Sequence, residues 1–162
     1  MVGRADLEDE IIVTYSVAPN PHSFCSAWSP TSFPDLVSSN VVVNADEPLL
    51  LGDDQISSVT DNADCSGGFH FGSIDLGQRG YFPALGTQTF GGVVTSGAAQ
   101  CSSSQIAGCT RIHWNGSNTL TITLGQPAVG DPTQGNSSVA VYTPNQALGV
   151  SGTIASTKRV QF

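Results

Sequence analysis

Apolar and polar residues alternate with a period of two along several short segments of this chain. The first of these segments places four apolar side chains on one face: Ile11, Val13, Tyr15 and Val17. The plainest segment lies at 119–124, where leucine and isoleucine alternate with three threonines. Because successive side chains of a β-strand point to opposite faces, both segments predict strands with one buried face and one exposed face.

Shorter β-branched, leucine-rich or aromatic runs predict the remaining strands, at 41–43, 49–51, 69–76, 112–114, 139–141 and 160–162. No segment carries apolar residues at helical spacing over three turns, so the sequence predicts no long helix. One short helical turn is expected at 144–148, because proline suits the first position of a helix.

Turn residues separate these runs at the spacing expected of an all-β protein. Asn115-Gly116 is a good hairpin signal, since both residues tolerate a positive φ. Strands without intervening helices give antiparallel sheets, and two such sheets packed face to face form a β-sandwich. Residues 10–162 are therefore predicted to form a single domain, preceded at 1–9 by a leader or an arm added for expression.

The chain of 162 residues has few charged side chains, 11% of the total, and a formal net charge of −8. Ordinary globular proteins have about 25% charged residues, so we expect a surface of hydroxyls and amides, as in β-proteins outside the cell. Nucleic-acid binding requires a basic cluster, and Lys158-Arg159 is too small a cluster for it. No apolar run approaches the ~20 residues of a membrane span. We therefore predict a secreted or cell-surface protein without nucleic-acid binding or membrane insertion.

The four cysteines lie at positions 25, 65, 101 and 109 and form no C-x-x-C pair. No histidine stands at zinc-finger spacing from a cysteine pair. An even number of cysteines in a chain poor in lysine favours two disulfides, and hence an oxidising compartment. Four buried free thiols are the alternative that the composition leaves open.

Three segments resemble the bacterial Ig-like repeat modules of large surface and adhesin-type proteins. They are Ile11-Ile-Val-Thr-Tyr-Ser16, Trp114-Asn-Gly-Ser-Asn-Thr-Leu-Thr-Ile-Thr-Leu124, and Val141-Tyr-Thr-Pro144 followed by Ala147-Leu148. The resemblance covers most of residues 10–162 and implies an all-β, Ig-like antiparallel β-sandwich with about seven to nine strands. Its motifs specify strands and turns, so it implies a scaffold and assigns no chemistry.

The cysteine pairing is predicted from the chain positions. Cys101 and Cys109 enclose a short serine-rich loop, and their proximity along the chain favours a disulfide between them. Cys25 would then bond to Cys65 and tie an early strand to the segment before Phe69. This second pairing agrees with the subset of Ig-like modules that carries a disulfide.

Calcium is the one cofactor that the residue types allow. Hard cations bind several carboxylate, amide and carbonyl oxygens in a loop, and the segment from Asp61 to Asp64 offers these two carboxylates as ligands. Asx-turns are the alternative use of the same residues. Val17 and the loop 149–152 stand where the resembling modules commonly carry acidic residues, which weakens any calcium site implied by the resemblance.

Few other residues are candidates for chemistry. His70 and His113 each lie between apolar strand residues, where they could bind a metal together or join a serine and a carboxylate. Surface histidines are the favoured alternative. Trp28 and Tyr81 lie in or near loops and could form an aromatic platform for a sugar, with core packing as the favoured alternative.

These features predict a non-catalytic extracellular module, structural or adhesive, of a bacterial surface protein. Its expected partners are other protein modules, neighbouring subunits or glycans. One alternative is a self-assembling filament subunit, in which a terminal strand completes the sheet of a neighbour. Another alternative is a carbohydrate-binding module, which requires an exposed aromatic strip. No catalytic residue is assigned, and the protein is not expected to be an enzyme.

Overall fold

A computed structural model of the protein describes residues 5, 7–38, 40–46, 52–61, 63–79, 81–82, 87–91, 101, 108–127, 140–149 and 159–160. The elements in these ranges are β1 Glu10–Thr14, α1 Pro21–Phe24, β2 Val41–Asp46, β3 Gln55–Asp61, β4 Gly72–Asp75, β5 Thr87–Gly91, β6 Arg111–Trp114, β7 Thr119–Thr123, β8 Gln126–Pro127, β9 Val141–Pro144, a 3-10 turn Gln146–Leu148, and β10 Arg159–Val160. No helix within this described part of the chain is both long enough and apolar enough to cross a membrane.

The strands form two antiparallel sheets. The four-stranded sheet has the order β10-β1-β7-β6, and the six-stranded sheet has the order β8-β5-β2-β3-β4-β9. Eight of these strands have four to seven residues, and β8 and β10 have two residues each. Buried side chains from both sheets belong to one apolar cluster. The predicted all-β, Ig-like antiparallel sandwich is confirmed.

The buried face of the four-stranded sheet follows the alternation in the sequence. Each of its long strands turns every second side chain into the core, and the buried residues on β1, β7 and their immediate continuations are Ile11, Val13, Tyr15, Leu120, Ile122 and Leu124. The two strands are in register over their whole length, from Glu10 opposite Thr123 to Thr14 opposite Thr119. The strand predicted at 119–124 is therefore confirmed, including the face that it buries.

Two side chains depart from this alternation. Val17 was expected on the buried face but is 67% exposed, because the last main-chain bond is from Tyr15 N–H to Asn118 O at 2.8 Å and the chain then leaves the sheet. Thr123 was expected to face solvent but is only 9% exposed, and the Arg111 guanidinium donates to its hydroxyl at 3.4 Å. The prediction fails at these two positions.

The predicted hairpin joins β6 to β7. The Asn115 side-chain oxygen accepts hydrogen bonds from the backbone N–H groups of Ser117, Asn118 and Thr119 at 2.9–3.0 Å. Gly116 has φ = 78°, in the left-handed region that glycine adopts without strain. The hairpin is confirmed, with a connection of four residues between the strands.

Both disulfides form as predicted. Cys25–Cys65 closes a separation of 40 residues and Cys101–Cys109 one of 8 residues. Cys25 directly follows α1, a helical turn that the sequence reading missed. The Asn20 side chain caps this turn by accepting from His22 N–H, and Pro21 begins it. The first disulfide therefore fixes α1 against the segment that precedes Phe69.

An aromatic cluster fills the core beneath α1. Its rings lie 5.3–6.3 Å apart between centroids, mostly in edge-to-face or tilted arrangements, which suits their quadrupoles. The members are Tyr15, Phe24, Trp28, Phe69 and Trp114. The cluster joins β1 and β6 of one sheet to the loop before β4 of the other, so it connects the two layers.

The remaining strand predictions have mixed outcomes. On β9, Val141 is 56% exposed, and the half-buried Tyr142 packs against the core instead. The short helical turn is confirmed at Gln146–Leu148, capped by the Asn145 side chain. The strand predicted at 49–51, position 139, and positions 161–162 lie outside the described residues.

Candidate functional site

The outer face of the four-stranded sheet carries two hydrogen-bonded polar side chains, His113 and Asp35, each about half exposed. Cross-strand register places His113 of β6 beside Thr121 of β7, and Thr121 beside Ile12 of β1. Asp35 extends this row beyond the edge of β6, and its carboxylate lies 2.6 Å from His113 Nδ1. The candidate site is this row of side chains, from Ile12 to Asp35.

The main chain positions Asp35 for this contact. Leu36 forms an isolated bridge with Ile112, in which each N–H donates to the other residue's carbonyl at 3.0 Å. Leu36 points into the core, so its neighbour Asp35 points outward, on the same face as His113. The pair is therefore set by two adjacent strand-like segments with alternating side chains.

The chemistry of the pair follows from its geometry and exposure. A carboxylate only accepts hydrogen bonds, so His113 Nδ1 carries the proton and Nε2 is left available on the surface. The side chains are 51% and 46% exposed, and an exposed pair of this kind stabilises a fold by about 1 kcal/mol or less. The pair can accept a hydrogen bond from a partner. The water-excluded setting of a catalytic histidine is not provided by this open face.

The other two histidines bind the main chain. His70 Nδ1 lies 3.1 Å from Ser23 O, and His22 Nδ1 lies 3.0 Å from Trp28 O. His70 precedes β4 of the six-stranded sheet, whereas His113 lies on β6 of the other sheet. The interpretation in which His70 and His113 face each other across neighbouring strands is therefore wrong.

Asp61 and Asp64, the predicted calcium ligands, lie at the end of β3 and in the turn that follows. Asp61 is fully buried, and its Oδ1 accepts from the backbone N–H groups of Ala63 and Asp64 at 2.9 and 3.2 Å, which is an Asx-turn. Its Oδ2 is buried without a hydrogen-bond partner, and Asp64 is exposed. Among the described residues no three His, Cys, Asp or Glu side chains are grouped as metal ligands, and calcium binding stays a prediction.

Trp28 and Tyr81, the predicted sugar platform, are both buried. Trp28 packs in the aromatic cluster, and its indole N–H donates to Pro34 O at 3.0 Å. Tyr81 is held through its backbone N–H, which donates to Asp54 Oδ2 at 2.7 Å. Both residues contribute to the core, and neither ring presents a face to solvent.

Two buried polar groups escaped the sequence reading. Asp54 follows a polar loop, but it is fully buried, and the carboxylate oxygen that accepts from Tyr81 N–H also accepts from Phe82 N–H at 3.1 Å. Tyr142 O–H donates to Phe71 O at 2.5 Å, so Tyr15 O–H donates to Tyr142 Oη at 2.8 Å. Asp54 and Phe82 are separated by 28 residues, and no local sequence pattern predicts a contact between residues so far apart.

The tyrosine pair has raised pKa values. Burial raises the pKa of Tyr142 from 10.0 to about 12, although the hydrogen bond with Tyr15 acts in the opposite direction. Burial also raises the pKa of Tyr15 well above its usual value, and the neighbouring Tyr142 adds to this effect. Both hydroxyls are therefore neutral at physiological pH and act as hydrogen-bonding groups between β1 of one sheet and β9 of the other.

Comparisons of the sequence with models of known protein families, with curated proteins and with solved structures find no match.

Proposed function

We propose that this chain is a non-catalytic extracellular module, structural or adhesive, of a bacterial surface protein. The observation that carries the proposal is the use made of the ionisable side chains. Asp54, Asp61 and Asp75 accept from backbone N–H groups, and Arg79 donates to a backbone carbonyl. Asp61 and Asp75 stabilise the turns that directly follow them, whereas Asp54 and Arg79 join the loop at 52–54 to the segment 79–82. All four side chains are therefore used to hold the backbone of loops. Catalysis instead requires such groups to converge on one concave site.

Two disulfides support the extracellular assignment. Disulfides persist in oxidising compartments and are rare in the cytosol. Both pairs connect segments outside the strands, and Cys25 and Cys65 belong to the buried apolar cluster of the sandwich. A scaffold braced in this way suits a protein that must stay folded outside the cell.

The outer face of the four-stranded sheet is the surface that we assign to partner binding. Ile12, Thr14, Thr119 and Thr121 are half-buried there, and His113 is exposed at its margin. Such a mixture of one apolar and several hydroxyl side chains suits contact with another protein module or with a glycan.

The experiment immobilises the folded domain and measures its binding to a glycan array and to candidate surface proteins. The double variant Ile12→Arg/Thr121→Arg blocks the outer face, and Thr143→Arg on β9 of the other sheet is the matched control. We expect the first variant to lose binding at least tenfold and the control to retain it. Equal binding by all three proteins would refute the assigned surface.

Catalytic activity is tested in parallel with chromogenic esters, glycosides and peptides. The proposal expects no turnover above the buffer rate. Turnover that falls at least tenfold in His113→Ala and in Asp35→Asn would instead identify a hydrolase and overturn the proposed function.

A second candidate is the self-assembling filament subunit, and it is favoured by the position of β10 at an edge of the four-stranded sheet. β10 pairs with β1 on one side, and no strand within the described residues pairs with its other side. A strand from a neighbouring copy could add to this edge by β-augmentation. An average particle mass, measured by light scattering, that keeps rising with protein concentration would favour this candidate. A particle mass that reaches a fixed value would count against it.

A further inference from the structure

The edge of β6 is covered by a short segment that we name the edge strap, residues 33–36. The strap contacts β6 through the Leu36–Ile112 bridge and the Asp35–His113 hydrogen bond. Phe33 packs over the hairpin tip, where its ring lies 2.8 Å from the position that a Cβ on Gly116 would occupy. The strap is thus attached at three points along the edge.

The strap pairs with β6 at a single residue, and Pro34 explains why. In the antiparallel register set by Leu36 opposite Ile112, Pro34 lies opposite Trp114. Hydrogen-bonded pairs recur at every second residue, so Pro34 is the next strap residue that could exchange hydrogen bonds with β6. Proline has no N–H to donate. The Pro34 carbonyl is also occupied, because it accepts from the indole N–H of Trp28 at 3.0 Å.

The backbone of β6 is nevertheless able to pair with a longer strand. Ile112 directs both its N–H and its C=O toward the strap, so Arg111 and His113 direct theirs toward β7. Asn115 N–H donates to Thr119 O, in agreement with this alternation. Trp114 therefore directs its N–H and C=O outward, as Ile112 does.

We infer that the edge strap blocks strand addition at β6, and that release of the strap allows β6 to pair with the β6 of a second copy of this chain. Two antiparallel β6 strands related by a twofold axis would place Ile112 opposite the second copy's Trp114, and each of these pairs would exchange two hydrogen bonds. His113 would lie on the axis opposite its own equivalent. The outward groups of the two edges are complementary to each other, which identifies the second copy as the occupant.

The balance between the two states follows from the number of bonds. Each strap makes two main-chain bonds to β6, so two straps make four, the same number as one twofold interface. Because the strap is part of the same chain, it competes at a high effective concentration and prevails in the native protein. This inference concerns the β6 edge and does not depend on the adhesive role proposed above.

The test is the oligomeric state of strap variants, measured by sedimentation and light scattering over a range of concentrations. Leu36→Asp removes the apolar anchor and opens the strap strongly. Phe33→Ser/Asp35→Ala opens it mildly and leaves the core intact, in case the first variant does not fold. We expect a monomeric native protein and concentration-dependent dimers of the open variants, with faster hydrogen exchange at the Ile112 amide.

Two additional substitutions identify the edge that is used. In an open variant, His113→Asp would place two carboxylates opposite each other on the axis, and we expect it to restore the monomer. Thr143→Asp on the β9 edge is the matched control and should leave the dimer intact. The inference fails if a folded open variant stays monomeric while Ile112 exchanges rapidly, if the native protein already dimerises through β6, or if Thr143→Asp dissociates the dimer and His113→Asp does not.

Discussion

The Tyr15–Tyr142 pair offers a sharp test of how the two sheets are held together. Tyr142 is the middle member of a chain of hydrogen bonds, because it donates to Phe71 O and accepts from Tyr15. Tyr15 is the terminal member. Replacing the middle hydroxyl leaves the Tyr15 O–H without an acceptor and removes one of the two hydrogen bonds that Phe71 O accepts, the other coming from Asn145 N–H at 3.3 Å. Replacing the terminal hydroxyl leaves only an acceptor lone pair without a donor.

The expected costs follow from this asymmetry. Leaving a buried donor or acceptor unsatisfied costs about 1–3 kcal/mol, and losing a satisfied bond costs about 1 kcal/mol. Tyr142→Phe should therefore lower the free energy of unfolding by about 2–4 kcal/mol, and Tyr15→Phe by about 1 kcal/mol. Once Tyr142 is Phe, the second substitution removes a hydroxyl that has already lost its partner, so the two costs should not add.

The pH dependence of stability has a defined sign. The pKa of Tyr142 is raised from 10.0 to about 12 in the folded protein. Its contribution is therefore fully present below pH 10 and is lost as the pH rises through the folded value near 12. At 1.36 kcal/mol per pKa unit, the loss amounts to about 2–3 kcal/mol.

Urea denaturation, followed by tryptophan fluorescence at pH 8 and pH 11.5, measures both effects. The native protein should lose more stability between these two pH values than Tyr142→Phe does. The hydrogen-bond chain does not act as described if Tyr15→Phe proves as costly as Tyr142→Phe at pH 8. It also does not act as described if the native protein and Tyr142→Phe lose equal stability between pH 8 and pH 11.5.

Three further changes test the packing. Ile122→Ala, in the middle of the buried face of β7, should cost ~2–5 kcal/mol, and Thr121→Ala far less; equal shifts in the denaturation midpoint would contradict the assigned face. Gly72→Ala should cost at least ~2 kcal/mol, because φ is +111° and the new Cβ would overlap a carbonyl oxygen of β9. Gly67→Ala, with φ +91° and open space, is its control for backbone strain alone, and an equal cost would exclude the overlap. Asp54→Ala leaves two backbone N–H groups without this acceptor and should cost ~2–4 kcal/mol by thermal unfolding; a change below 1 kcal/mol would show that water replaces the carboxylate.

The features that the sequence predicted correctly are local ones. The alternation at 119–124 fixed which face of β7 is buried, and Asn115-Gly116 fixed the hairpin between β6 and β7. Chain proximity was enough for Cys101–Cys109, and the other disulfide then followed by elimination. In each of these cases the residues that decide the structure lie within about ten positions of one another, or no other choice is left.

The features that it missed depend on contacts between distant segments. Whether Asp54 is solvated depends on Tyr81 and Phe82, which are 27 and 28 residues away. Whether His113 faces another histidine or a carboxylate depends on Asp35, brought beside β6 by a single bridge. Period-two patterns predict strands and their faces, but the order of the strands in a sheet determines which side chains become neighbours.

The edges of the two sheets show a common way of limiting strand addition. The edge strands are β6, β8, β9 and β10. Pro127 lies in β8, Pro144 ends β9, and Pro34 of the edge strap faces β6. Because proline cannot donate to a ladder, Pro144 removes one hydrogen bond that a strand adding to β9 would need, and Pro34 limits the pairing of the strap with β6. The two residues of β10, Arg159–Val160, include no proline, and β10 is an edge strand of the four-stranded sheet. If copies of the protein associate through a sheet edge without release of the strap, the edge at β10 is therefore the one at which we expect it.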